Sequence, residues 1–199
     1  MAKREPVYVI FGKKELSALA SSARQEIIDV LGQMGTVSVA ELAETLGRPA
    51  DTLYYHLRIL TKAGLVQSVG SRLKDGRPEA LFRSRNLSID YEAARQANER
   101  GLIGVASSML RLGIRDFQDA LRDRDVVVGG KQRELWSARK TGWLTKQELG
   151  RVNALIQELL DSVSPRSRTG RLYGVTVLIT PVNRQNREQP KPKRGKRSS

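Results

Sequence analysis

The sequence predicts a mainly α fold with small β components: a helical module with one β-hairpin, followed by a small, dimerising α+β domain. Apolar residues recur at helical spacing through residues 22–62, two alternating segments follow at 65–69 and 80–84, and helical spacing returns after residue 90. We expect an N-terminal arm at 1–16, the module at 17–84, the second domain at 85–183 and a disordered basic tail at 184–199.

The most informative segment is a helix predicted at residues 50–62. Leu53, Leu57 and Leu60 have the i, i+4, i+7 spacing of a buried stripe. Gly64 then supplies the left-handed residue with which helices commonly end. The opposite side of the helix carries Asp51, Tyr55, Arg58 and Lys62. A narrow apolar stripe with a basic, hydrogen-bonding outer face is typical of helices that enter the DNA major groove.

Two further helices are predicted upstream. Ser38 and Glu41 have the spacing of a capping box, which opens a short helix that ends at Gly47. Ser22 and Gln25 have the same spacing at the start of an earlier helix, whose core side carries Ile27, Ile28, Leu31 and Met34. This order of two helices, a turn and a third helix is that of the helix-turn-helix motif.

A β-hairpin is predicted after the third helix. The segments 65–69 and 80–84 have strand patterns, and Asp75-Gly76 between them is a strong hairpin-turn signal. The loop also carries Arg72, Lys74 and Arg77, cations suited to phosphate or minor-groove contact. The alternative is an ordinary solvated hairpin tip. Next to the preceding helix, we favour a DNA-contacting wing.

Residues 17–84 resemble the winged helix-turn-helix of the ArsR-type bacterial and archaeal transcriptional regulators. The resemblance lies in LASSARQEII (19–28), TLYYHL (52–57), LTKAGLV (60–66) and GRP (76–78). It implies that the helix at 50–62 is the recognition helix and that such a protein binds DNA as a dimer. It also implies that the residues facing DNA are Thr52, Tyr54, Tyr55, His56 and Arg58. With the basic residues of the adjoining turn, helix end and wing, the candidate DNA-binding set also includes Arg48, Lys62, Arg72, Lys74 and Arg77.

The sequence departs from the metal-sensing branch of that family. Thiophilic and borderline metals need thiolate or imidazole ligands, and this chain has no Cys and a single His, His56. We therefore expect no metal site and no cofactor. Gly-rich phosphate loops, metal-hydrolase patterns and Cys nucleophiles are also missing from the sequence, so we expect a protein that is not an enzyme.

The net charge of +14 is unevenly distributed along the 199 residues. The tail 184–199 carries seven Lys and Arg against one Glu, and we interpret it as an electrostatic arm, with a solubilising tail as the alternative. Within the module, residues 48–84 carry seven cations and three anions, whereas Glu26, Asp29, Glu41 and Glu44 precede them. This asymmetry predicts a basic face that binds nucleic acid.

The second domain gives weaker signals. A long helix is predicted from Asp90, with a stripe of mostly small residues that includes Ala94, Gly101 and Val105. We interpret this stripe as part of a homodimer interface, and packing within the same chain as the alternative. A third capping box at Thr145 and Glu148 opens another helix, and Leu172–Ile179 is predicted to form a strand.

An effector site is one interpretation of the aromatic residues in this domain. The candidate residues for a pocket that binds an acidic or planar small molecule are Trp136, Arg139, Trp143 and Tyr173. The alternative is that these aromatic side chains belong to the core.

The function that we predict is a sequence-specific regulator of transcription, acting as a homodimeric repressor on double-stranded DNA. Two alternatives remain: a non-specific, chromatin-like architectural DNA-binding protein, and a winged-helix module that binds protein or RNA. Because the apolar runs at 7–11 and 175–179 are too short to span a bilayer, we expect no membrane partner and a cytoplasmic, nucleoid-associated location.

Overall fold

The computed structural model describes residues 6–163 and 170–182. The basic tail predicted at 184–199 lies outside these residues. In chain order, the elements are β1 (Val7–Ile10), α1 (Lys13–Leu19), α2 (Ser22–Met34), β2 (Val37–Ser38), α3 (Val39–Leu46), α4 (Ala50–Lys62), β3 (Val66–Lys74), β4 (Arg77–Ser84), β5 (Asn86–Ile89), α5 (Tyr91–Arg122) and α6 (Lys146–Ser162). The mainly α fold with a small β component is confirmed.

Helices α2, α3 and α4 form the core of the N-terminal half with a three-stranded antiparallel sheet of order β2-β4-β3. Leu53, Leu57 and Leu60 of α4 are fully buried in this core, as the predicted stripe requires. Each such side chain stabilises the fold by about 1.5–3 kcal/mol. The capping box at Ser38 is present: its hydroxyl accepts a hydrogen bond from the Glu41 amide, and the Glu41 carboxylate accepts one from the Ser38 amide.

A second sheet, of two strands, joins the beginning of the chain to the start of the predicted second domain. Strand β1 lies within the predicted N-terminal arm and pairs in parallel with β5, with Val7 opposite Asn86 and Ile10 opposite Ile89. The amide of Asp90 also donates to the Ile10 carbonyl at 3.0 Å. The side chain of Asp90 caps α5 by accepting from the Ala93 amide.

Helix α5 packs against α1 and α2 of its own chain, and small residues allow the close approach. A Cβ atom at Gly104 would lie 2.9 Å from the Ala20 Cβ, and one at Gly101 would lie 3.0 Å from the Leu16 Cβ. Ala94 and Val105 of the same stripe are buried here. These residues of the stripe therefore pack within their own chain, as the alternative predicted, because the missing side chains make room for α1. A contribution of this helix to a homodimer stays a prediction.

A buried polar cluster fastens α2 to α5. The side-chain amide nitrogen of Gln25 lies 2.7 Å from the Ser108 hydroxyl, 2.9 Å from the Leu19 carbonyl and 3.2 Å from the Val105 carbonyl, and its two N–H groups are shared among these three acceptors. The capping box predicted at Ser22 and Gln25 is consequently absent. The residue before α2 is instead Ser21, and its side chain makes no capping hydrogen bond.

The C-terminal part contains less regular structure than predicted. The capping box at Thr145 and Glu148 is present and opens α6. The strand predicted at Leu172–Ile179 is absent, since residues 171–182 form neither a helix nor a strand. Alternation alone does not make a strand, because the backbone also needs a neighbouring edge with which to pair. Within the described residues, no helix is long and apolar enough to cross a membrane.

We expect Gly104→Ala to lower the free energy of unfolding by about 1 kcal/mol, because the strain of overpacking against Ala20 exceeds the gain in helix propensity. Gly32→Ala in α2 is the matched control, since its Cβ would meet no atom within 4 Å. This control should stabilise the protein by about 0.5–1 kcal/mol. Urea unfolding of both variants measures the difference, and equal stabilisation would contradict the close packing of α1 and α5.

Candidate nucleic-acid interface

The outer face of α4 is presented to solvent because its leucine stripe is buried. The aromatic side chains of Tyr54 and Tyr55 are 51% and 54% exposed, an unusual exposure for large aromatic residues. Thr52, Arg58 and Lys62 are exposed on the same helix. Five of the ten candidate DNA-binding residues therefore lie on solvent-accessible parts of α4.

Three of the predicted residues contact one another. The guanidinium of Arg58 lies 5.9 Å from the centre of the Tyr55 ring, and the Tyr55 ring meets the His56 ring edge-on at 5.3 Å. This cation–π contact favours a side-chain conformation in which the Arg58 guanidinium lies beside the Tyr55 ring. A restrained guanidinium loses less entropy when it binds a base edge or a phosphate.

His56 differs from its neighbours because it is half-buried. Burial lowers the pKa of its imidazole, and the positive charges of Arg24 and Arg48 lower this pKa further. The Nδ1 atom is buried and has no hydrogen-bond partner in the described part of the chain. These effects favour the neutral imidazole, and we expect His56 to contribute shape rather than charge to the interface.

The wing is a hairpin with a two-residue turn. Asp75 and Gly76 have φ angles of 51° and 75°, as a type I′ turn requires. The turn places Lys74 and Arg77 directly opposite each other at the tip. Neither side chain forms an ion pair within the described residues, and both are exposed. These two cations are positioned for contact with a phosphate backbone.

Arg72 of the wing is occupied within the molecule. Its guanidinium forms ion pairs with Glu41 at 2.8 Å and with Glu79, its partner across the hairpin, at 3.0 Å. The Ser38 amide and then Arg72 keep the pKa of the Glu41 carboxyl below its ordinary value. Arg72 thus ties the wing to the start of α3, and its contact with DNA remains a prediction.

Arg48 is also paired. Its guanidinium lies 2.5 Å from the Glu26 carboxylate of α2, and the other carboxylate oxygen of Glu26 lies 2.6 Å from Arg115 of α5. Glu26 therefore joins the turn before α4 to α5. A DNA phosphate near Arg48 would compete with Glu26 for the same guanidinium.

An open groove lies between α4 and the sheet of the wing. In addition to the predicted tyrosines, Arg58 and Lys62, it is lined by Leu57, Thr61, Ser68 and Phe82. Our sequence analysis did not identify Thr61, although it lies three residues after Arg58 on the same helical face. Ser68 and Phe82 are opposite each other across the hairpin. Counting residue pairs outward from the turn does not predict this pairing, because the register shifts between Ser68 and Ser71.

All four residues of the predicted effector pocket are exposed to solvent. Trp136 is 67% exposed and stacks under Arg133, whereas Trp143 is 80% exposed. Arg139 is exposed, and the Tyr173 hydroxyl donates to Glu134. No hydrogen bond, ion pair or ring contact joins any two of the four in the described chain. The effector site remains a prediction.

Asp29 lies next to the Glu26 cluster and carries an unfavourable negative charge. Its pKa is raised to about 6, because desolvation disfavours the carboxylate and because Asp116 and Glu26 repel it. Asp29 still has an exposed surface, so solvent screens part of this repulsion. The ionised form of Asp29 opposes folding above pH 6.

We expect Asp29→Asn to raise the free energy of unfolding at pH 8 by up to about 1 kcal/mol. Native Asp29 binds its proton more tightly than the unfolded chain, where the pKa is near 3.8. The gain should therefore shrink as the pH falls from 6 to 4. Urea unfolding at pH 8 and pH 4 measures this gain in the free energy of unfolding. Equal gains at both pH values would contradict the raised pKa of Asp29. Asp125→Asn, outside the cluster, is the control and should change neither value.

Comparison with known protein families agrees with the order of helices α2, α3 and α4 described above. Residues 19–69 match a family model described as a helix-turn-helix domain, and the match extends from the end of α1 to the beginning of β3. A search of curated proteins gives no match. The matched region includes α2, α3 and α4, whose order and packing are described above. The chain therefore contains a helix-turn-helix DNA-binding domain.

Proposed function

We propose that this protein is a sequence-specific, double-stranded-DNA-binding transcriptional regulator of the ArsR type that acts as a homodimeric repressor. Helix α4 lies in the major groove, and the wing tip contacts the backbone or minor groove. The observation that carries the proposal is the exposed Tyr54, Tyr55 and Arg58 surface on a helix whose other side is fully buried. Such a surface offers hydrogen-bonding groups at base edges without disturbing the core.

The charge distribution supports the same orientation. Lys62 follows Arg58 by one turn at the end of α4, and the wing carries Lys74 and Arg77 at its tip. Cations on both sides of the tyrosine surface suit a duplex whose phosphates border the groove being read. We propose that Arg48 joins these contacts when a phosphate replaces Glu26.

Selection of bound sequences from random double-stranded DNA tests the proposal directly. We expect enrichment of an inverted repeat whose half-sites are about one helical turn apart. The absence of enrichment, together with a steep salt dependence on all DNA, would instead indicate the architectural alternative. Absence of DNA binding altogether would favour a module that binds protein or RNA.

We expect Arg58→Ala to weaken binding to the selected site by about 1–3 kcal/mol and to relax base preference at one position. Affinity for random DNA should change much less. Arg151→Ala, an exposed arginine of α6, is the control for the lost charge. Fluorescence anisotropy with selected and random duplexes measures both affinities. Equal losses on the two duplexes would mean that Arg58 contacts phosphate and does not read bases.

We expect Lys74→Ala and Arg77→Ala to weaken binding to all sequences alike. Each should reduce the slope of log affinity against log salt by about 0.9, the value for one lost phosphate contact. Leu73→Ala is the matched control, because Leu73 is 77% exposed in the same hairpin and carries no charge. An unchanged slope in both charge variants would show that the wing does not contact DNA.

A further inference from the structure

The chain between α5 and α6 consists of residues 123–145, which contain no helix or strand. We call these residues the α5–α6 segment. Loops longer than about 15 residues without secondary structure of their own are usually either functional or disordered. This segment carries both tryptophans of the chain, Trp136 and Trp143, and both are exposed, as is Leu144. Large apolar groups that lie exposed near one another are typical of interaction sites.

The first half of the α5–α6 segment is fastened to the rest of the molecule. The Glu134 amide donates to the Val127 carbonyl at 2.7 Å, and the Val127 amide donates to the Glu134 carboxylate at 2.7 Å. Arg171 forms ion pairs with Asp123 and, at 3.5 Å, with Glu134. Residues 136–145, all of which are exposed, therefore continue from a fixed base.

The second half of the segment is basic. Its cations are Lys131, Arg133, Arg139 and Lys140. All four are exposed, and none forms an ion pair within the described residues. Arg133 instead lies 3.4 Å from the centre of the Trp136 ring, a cation–π contact that places a positive charge beside the indole. The anion nearest to this pair in the sequence is Glu134, whose carboxylate is engaged by Val127 and Arg171. Cations interleaved with exposed aromatic rings are typical of surfaces that bind nucleic acid, where the cations contact phosphates and the rings contact bases and sugars.

A chain of ion pairs places the start of the segment close to the start of α4. Arg48, two residues before α4, pairs with Glu26, and Glu26 also pairs with Arg115 of α5. Helix α5 ends seven residues after Arg115, which is about 10 Å further along its axis. Residues 136–145 can each span up to about 3.3 Å of extended chain. Their cations and rings can therefore reach DNA beyond the groove in which we place α4.

We propose that the α5–α6 segment binds the duplex DNA that flanks the site contacted by α4. Its cations contact phosphates, and the exposed indole of Trp143 packs against the sugar and base surface of the adjoining groove. This inference rests on the proposed function for the position of the duplex, and it adds a contact outside the helix-turn-helix domain and the wing. It also gives Trp136, Arg139 and Trp143 a common ligand, although they make no contact with one another. The presence of a helix-turn-helix DNA-binding domain in the same chain favours DNA over other polyanionic partners, such as a membrane surface.

Tryptophan fluorescence of the full chain tests the contact, because α4 and the wing contain no Trp and both tryptophans lie in the α5–α6 segment. The probes are random-sequence duplexes of about 12 and about 30 base pairs at low salt, roughly one and three helical turns. We expect the long duplex to lower the quenching of Trp fluorescence by acrylamide by about half or more, because the bound rings lose contact with solvent. The short duplex, which α4 fills, should protect them much less. Unchanged quenching with the long duplex bound, or equal protection by the two duplexes, would overturn the proposal.

A double charge variant tests the phosphate contacts. Arg139→Gln with Lys140→Gln removes two exposed cations and no buried side chain. The slope of log affinity against log salt should fall by about 1.8 on the long duplex, since each lost phosphate contact accounts for about 0.9. Arg95→Gln with Arg100→Gln is the matched control, because it removes the same charge from exposed positions in the first half of α5. An unchanged slope in the first variant, or an equal fall in the control, would contradict the proposal.

The outcomes separate this contact from the proposed function. If selection from random DNA yields no enriched site while the long duplex still protects the tryptophans, the segment binds DNA and the sequence-specific function fails. If a site is selected and bound with both tryptophans unprotected, the regulator stands and the flanking contact is wrong. Vesicles of phosphatidylcholine and phosphatidylserine are the second probe. Protection by these vesicles and none by the long duplex would assign the segment to a membrane surface and overturn the proposal.

Discussion

The burial of Leu53, Leu57 and Leu60 is the constraint on which the candidate nucleic-acid interface depends. These side chains fix the rotation of α4 about its own axis, so the residues between them are forced outward. The exposed rings of Tyr54 and Tyr55 lie on the side of α4 that the core leaves available, and neighbouring exposed apolar surfaces are typical of interaction sites. The position of the wing depends on the same packing, because its first strand, β3, starts four residues after α4 ends.

Two basic residues, Arg48 and Arg72, have structural roles as well as a proposed role in binding. Arg72 holds the wing against α3, and Arg48 and Arg115 share the carboxylate of Glu26. Their ion pairs are partly exposed, so each contributes little to stability alone. Their importance lies in orientation, because they fix where the hairpin and the turn before α4 sit relative to the helices behind them.

Features determined by nearby residues were predictable from the sequence. The capping boxes at Ser38 and Thr145, the Asp75-Gly76 turn and the leucine stripe of α4 each depend on side chains within a few positions. The same local reasoning was wrong for the capping box predicted at Gln25, because the side-chain amide of Gln25 bonds instead to Ser108 of α5, 83 residues away in the chain. It was also wrong for the strand predicted at Leu172–Ile179, which lacks a neighbouring strand. The lowered pKa of His56 was likewise hidden, since both the burial of the imidazole and the nearby charges of Arg24 and Arg48 arise only in the folded chain.

The buried hydrogen bonds of Gln25 and Ser108 have a consequence for alignment. Apolar side chains packed against small residues tolerate sliding of one helix along another, because one methyl group can replace the next. A slide of α5 by one turn, about 5.4 Å, would separate Ser108 from Gln25 and from the Leu19 carbonyl. Each abandoned polar group would cost about 1–3 kcal/mol. One amide and one hydroxyl thus select a single register for the longest helix of the described chain. This register also sets the position of the C-terminal end of α5, from which the following residues continue.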